Sequence, residues 1–99
     1  MKQHKPLQVG DVVISRAGRD RKRAFVVVGM IDADFVTVAD GDCHKLEKPK
    51  KKRIKHLDAR SEQIPALREA LSGGAPVLDA TVRKALETLG YRNQPEREA

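Results

Sequence analysis

Two clusters of cations hold the residues of this chain best suited to chemistry. Residues 44–56, HKLEKPKKKRIKH, contain Lys45, Lys48, Lys50, Lys51, Lys52, Arg53 and Lys55 against one acid, Glu47. Residues 16–23, RAGRDRKR, contain Arg16, Arg19, Arg21, Lys22 and Arg23 against Asp20. Side chains of this kind neutralise phosphate oxygens, arginine as a planar fork of donors and lysine as a compact point charge. Gly18, in the middle of the first cluster, has no Cβ, so main-chain N–H groups there can approach an anion closely. A single charged run is usually a solvated surface. Two runs interrupting short apolar segments of one small chain point instead to a polyanion.

Other chemistry finds little support in the residue pattern. Cys43 and His44 pair a thiol with an imidazole, but neighbours on a strand point to opposite faces and cannot act as nucleophile and base. His4, His44, His56 and Cys43 have no spacing typical of a zinc site and are read as surface residues. The acids Asp32, Asp34, Asp40 and Asp42 flank turns, where aspartate accepts local main-chain hydrogen bonds. No glycine-rich nucleotide loop is present. The expectation is a non-enzyme with no catalytic residue, metal, cofactor or small-molecule substrate.

The distribution of charge sharpens this reading. The 99 residues carry a formal net charge of +6. Residues 1–60 contain 15 Lys/Arg and 8 Asp/Glu, and residues 61–99 contain 5 and 6, so the whole excess lies in the first part. Such a surface attracts phosphate polyanions through its field and through counterion release. Aromatic residues are few: Phe25, Phe35 and Tyr91. Both phenylalanines are expected in the core, leaving no stacking platform for unpaired bases, so a structured nucleic acid held by backbone and shape is favoured. No apolar run approaches the roughly 20 residues of a membrane span. The start, MKQHKPLQVGD, lacks a signal-peptide pattern. A single cysteine suits a reducing compartment. A cytoplasmic protein without membrane contact is expected.

The elements that must position the cations follow from hydrophobic periodicity. Residues 11–16 and the valine-rich run 24–31 read as strands, and 35–39 alternates Phe35, Thr37 and Ala39 against Val36 and Val38 as a two-faced strand. Asp40-Gly41 signals a tight turn, which predicts a return strand over 43–47. Pro49 marks 48–52 as a loop, and 54–57 is a last short strand. Five short strands with tight turns predict a mainly β fold, a five-stranded SH3-like barrel. Beyond residue 60 the period changes to that of helices. Ser61 is the expected cap of a helix carrying Ile64, Leu67 and Leu71, with Pro65 in its first turn. Ser72-Gly73-Gly74 breaks it. Asp79 caps a second helix with Val82, Ala85, Leu86 and Leu89 on one face, stopped by Gly90. The expected organisation is a barrel over 1–60, a two-helix extension over 61–92, either a lid on the barrel or a docking module for a protein partner, and a disordered tail over 93–99.

Residues 7–57 resemble the KOW-motif domain of large-subunit ribosomal proteins and NusG-type transcription factors. The likeness lies in Val9-Gly10-Asp11-Val12-Val13, in Ser15-Arg16-Ala17-Gly18-Arg19-Asp20 and in Ala24-Phe25-Val26-Val27-Val28. The added ADGD and EKPKKKRIKHL segments make the chain similar to small bacterial KOW proteins related to ribosomal proteins. The resemblance implies an RNA-binding barrel, with Gly18 as the loop glycine and RNA contacts at Arg16, Arg19, Arg21, Lys22 and Arg23. The family's usual Lys-Gly-Lys step is replaced here by Arg21-Lys22-Arg23, so one close backbone approach is lost and charge is added.

The function expected is binding of structured RNA, ribosomal RNA first among candidates, as a ribosome-associated or ribosomal-protein-like factor in translation. Lys45, Lys48, Lys50, Lys51, Lys52, Arg53 and Lys55 would extend the grip begun at the Gly18 loop, with Asp20 orienting neighbouring arginines. Reversing residues 50–53 to glutamates is expected to cost most of the RNA affinity with little loss of folding. The alternatives are a protein-interaction adaptor docking through a sheet edge or the helix pair, and a KOW-type transcription or RNA-processing factor.

Overall fold

Short β-branched runs separated by turn residues produce a five-stranded antiparallel sheet, followed by two helices. The computed structural model describes residues 7–91, so the expectations for 1–6 and for 92–99 fall outside the described residues. The strands are β1 (Asp11–Ser15), β2 (Ala24–Met30), β3 (Phe35–Ala39), β4 (Lys50–Arg53) and β5 (Leu57–Gln63), arranged in the order β4-β3-β2-β1-β5. A 3-10 turn, Ile54–His56, joins β4 to β5, and helices α1 (Pro65–Ser72) and α2 (Asp79–Thr88) follow.

The sheet buries apolar side chains on both faces. Val13, Phe25, Val27, Val36, Val38 and Leu57 form one cluster with Leu7. Val12, Ala24 and Val26, displaced by one residue and therefore on the opposite face, pack against Leu67 of α1 and Val82 and Leu86 of α2. The helix stripes read from the sequence thus cover the outer face of β1 and β2, except Leu89, which lies just past α2 and is exposed. Tyr91, just past α2, donates its hydroxyl to Glu62 Oε1 at 2.7 Å and accepts from Arg60 Nε at 3.3 Å, tying the end of the helix pair to β5.

The mainly β reading, the first three strands and the two helices agree with expectation, and the later boundaries do not. Residues 43–47, expected as a strand, form a turn-rich loop. The fourth strand is instead Lys50–Arg53, where a loop was expected. Its two faces are both polar, so no apolar alternation betrays it: Lys52 lies opposite Val36 and Lys51 opposite Thr37. Residues 54–56 are helical rather than extended, and β5 runs from Leu57 through Ser61 to Gln63. Ser61 is therefore a strand residue and caps nothing. The helix starts at Pro65, whose fixed φ and missing N–H suit a first turn. Asp79 is the first residue of α2 rather than its cap, and its Oδ1 accepts the Leu46 N–H at 2.7 Å.

That last bond docks α2 on the loop between β3 and β4. Arg83 adds a second tie, donating Nη1 to the Gly41 carbonyl at 3.1 Å. Gly41 has φ +78°, and a Cβ there would run into the Asp79 carbonyl. Conformation and space both demand glycine. Gly18 has a similar φ of +76° but no atom within 4 Å of its Cβ position. Gly41→Ala is expected to cost about 2–4 kcal/mol in urea denaturation, combining left-handed strain with overpacking. Gly18→Ala is expected to cost about 1–2 kcal/mol, from backbone conformation alone.

Candidate nucleic-acid interface

The first basic segment is the β1–β2 connection, built from two overlapping turns. Arg21 N–H bonds to the Gly18 carbonyl at 3.2 Å and Arg23 N–H to the Asp20 carbonyl at 2.8 Å. Its neck is closed by Ser15 N–H to Arg23 carbonyl at 3.0 Å and Lys22 N–H to Ser15 carbonyl at 2.8 Å. Gly18 makes the left-handed step the first turn needs. Lys22 makes another at φ +74°, a sparsely populated conformation for a residue with a Cβ.

This folding sorts the loop's cations. Arg16, Arg19, Arg21 and Lys22 are exposed, whereas Arg23 turns inward and is only 9% exposed. Arg23 Nη2 donates to Asp40 Oδ2 at 2.9 Å, forming a buried ion pair with the β3–β4 loop. Asp40 Oδ1 meanwhile accepts the Asp42 and His44 N–H groups, each at 2.9 Å, the local bonding expected of a turn aspartate. Asp32 does the same at the other hairpin, accepting from Asp34 and Phe35.

The second basic segment is divided by strand pleating. Lys50 and Lys52 share a face with Val38 and Val36 and point inward. There they meet Asp20, 3% exposed, at 3.2 Å and 3.4 Å respectively. Lys52, itself 9% exposed, also donates to Ser15 Oγ at 3.0 Å. His44 Nε2 stands 3.3 Å from the other Asp20 oxygen, and its ring packs on Phe25 with centroids 5.6 Å apart. Burial works to raise the Asp20 pKa. Hydrogen bonds from Lys50 and His44 and the charges of Lys50 and Lys52 outweigh it, so the carboxyl lies below its ordinary 3.8.

Two buried carboxylates therefore lock the loops to one another, each holding a cation of the opposing segment. Several expectations are corrected by this. Asp20 binds lysines of β4 and the imidazole of the other loop, rather than its neighbouring arginines. His44 is a half-buried partner of Asp20 and not a surface residue. Arg23 and Lys52 are internal ties, so reversing residues 50–53 would break the fold as well as the surface. Lys51 and Arg53 leave the rim for the outer face, where Lys51 Nζ lies 4.5 Å and Arg53 Cζ 4.9 Å from the Phe35 ring centroid. Phe35, expected in the core, belongs to neither apolar cluster. Lys45, Lys48 and Lys55 are exposed, and the Lys50 side chain is 41% exposed beside Asp20.

The structure ties the segment carrying Arg16, Gly18, Arg19, Arg21 and Lys22 to the one carrying Lys45, Lys48 and Lys50 through the contacts of Asp20 with His44 and Lys50 and of Asp40 with Arg23. It assigns Arg23 and Lys52 to the interior, Lys51 and Arg53 to a second surface, and Lys55 to the 3-10 turn. Asp20, expected to orient neighbouring arginines, and Asp40, expected only to close a turn, are the positioning residues, and sequence reading missed their partners. Neither partner could be read locally, because Arg23 and Asp40 are 17 residues apart and Asp20 and His44 are 24. Among the described residues no group of His, Cys, Asp and Glu could hold a metal ion, and no helix is long and apolar enough to cross a membrane. No protein-family model matches the chain. Its class rests on geometry: a small antiparallel sheet covered by two helices, with two basic loops held side by side by internal ion pairs.

Asp20→Asn is expected to destabilise the protein by about 3 kcal/mol at neutral pH, since it leaves Lys52 buried without its counter-charge. The sign with pH follows from a folded pKa below the unfolded one. The contribution is complete above the unfolded value near 3.8 and is lost as pH falls through the lower folded value. Urea denaturation of both proteins from pH 7 downward should show the gap closing below about pH 4. A gap independent of pH would refute the ionic account.

Proposed function

We propose that this protein binds structured RNA, ribosomal RNA foremost, through the exposed cations of the two locked loops, as a ribosome-associated factor in translation. The observation that carries the reading is the reciprocal lock itself. A solvated charge cluster needs no fixed geometry, yet here Asp20 and Asp40 hold two basic loops together from beneath. The exposed Arg16, Arg19, Arg21 and Lys22 lie on one of these tied segments and Lys45, Lys48 and Lys50 on the other, which lowers the ordering cost of binding.

Phosphate contacts of this kind position a backbone without reading bases. Gly18, left-handed and with no atom within 4 Å of its Cβ position, leaves the main chain of that loop open to close approach. Charge and geometry support a phosphate polyanion. The preference for RNA over DNA, and for the ribosome, comes from the resemblance to KOW domains.

The SH3-like barrel belongs to the same reading. In a flat sheet β4 and β1 would lie three strand spacings apart, about 14 Å, beyond a lysine's reach. Yet Lys52 Nζ meets Ser15 Oγ at 3.0 Å. The three-residue turn from β4 to β5 must also link the two outer strands of the sheet, a span of at most about 10–14 Å. Both features favour a sheet curled around the Phe25 cluster.

The double variant Arg19→Glu/Arg21→Glu removes two exposed loop cations without touching the lock. Filter binding to ribosomal RNA should weaken at least about tenfold, and the dependence of log affinity on log salt should flatten by roughly 1.5–2. The urea midpoint should not move. Undiminished, salt-tolerant binding would refute the proposal.

A further inference from the structure

The outer face of the sheet is covered over only part of its width. Helices α1 and α2 bury Val12, Ala24 and Val26 of β1 and β2. On β3 and β4 the outward side chains are Phe35 and Thr37, partly open, and Lys51 and Arg53, exposed. Phe35 is paired in register with Arg53 and Thr37 with Lys51. Both cations lie over the ring, Lys51 Nζ at 4.5 Å and Arg53 Cζ at 4.9 Å from its centroid.

Charged residues on a border strand also discourage edge-to-edge aggregation. Lysines alone would do that; an outward phenylalanine in their midst adds apolar exposure and works against it. The combination of an aromatic ring, a planar guanidinium and an ammonium instead matches what holds an unpaired nucleotide. The base stacks on ring or guanidinium, and the ammonium meets its phosphate. A cation over a partly open ring is a weaker partner than a stacked base, so a base can displace it and free its charge for the backbone.

Position strengthens the case. Strand β4 serves both surfaces: Lys50 reaches inward to the rim at Asp20, and the adjacent Lys51 and Arg53 face Phe35. RNA gripped at the rim has only to pass the sheet border at β4 to reach the platform. We infer that Phe35, Arg53 and Lys51 form a second nucleic-acid subsite, which stacks an unpaired base flanking the structured region held by the loops. This inference rests on the RNA-binding reading and adds single-strand capture to it.

The test uses three RNA probes: a blunt hairpin, the same hairpin with a short single-stranded extension, and that hairpin with an abasic extension of equal length. The abasic probe keeps the phosphates and lacks the bases. The wild-type protein should bind the base-carrying extension roughly tenfold tighter than the abasic one, as expected of one stack. Phe35→Leu, which keeps apolar bulk but no ring, should abolish that preference and leave blunt-hairpin binding unchanged. Arg53→Gln, at an exposed position, should reduce the preference and serves as the second arm if Phe35→Leu does not fold. Equal affinity for base-carrying and abasic extensions would overturn the subsite while leaving the rim intact. A preference that survives both substitutions would also overturn it. Failure of the wild type to bind the blunt hairpin would count against the rim instead.

Discussion

The arrangement of this protein depends on two carboxylates buried where its basic loops meet. Asp20, from the β1–β2 loop, takes Lys50 and Lys52 of β4 together with His44. Asp40, from the β3–β4 loop, takes Arg23 of the first loop. Buried ion pairs are weak evidence for net stability, because desolvation offsets most of the attraction. Their value here is geometric. Each pair is satisfied only when the two loops lie side by side, so the segments that carry the exposed cations are tied to one another by the fold itself.

The lock also explains a division of labour among chemically identical residues. In a run of four basic residues, alternate members go to opposite faces because the strand is pleated. Lys50 and Lys52 neutralise Asp20, while Lys51 and Arg53 cover Phe35. Charge counting treats the four alike. The outer surface gains a ring with two cations over it, and the interior gains a compensated carboxylate.

The helices contribute at a distance. They bury the outer face of β1 and β2, and α2 is docked on the β3–β4 loop through Asp79 and Arg83. The close approach at Gly41 makes that docking intolerant of any side chain. The loop that carries Lys45 and Lys48 is therefore held on one side by Asp40 and on the other by α2. The C-terminal third of the chain stabilises the surface it does not itself form.

Local physics was legible in the residues. Valine-rich runs bounded by turns marked β1, β2 and β3, helical periodicity marked α1 and α2, and the asymmetric charge marked the basic face. Each of these signals lies within a few neighbouring positions. What tertiary structure alone decided was the fate of individual charges, since a pleat assigns the face but only the fold supplies the partner. Arg23 and Asp40 are 17 residues apart, and Asp20 and His44 are 24. For the same reason β4 read as a loop: its inward residues are lysines, which are suited to an interior only once Asp20 stands there to meet them.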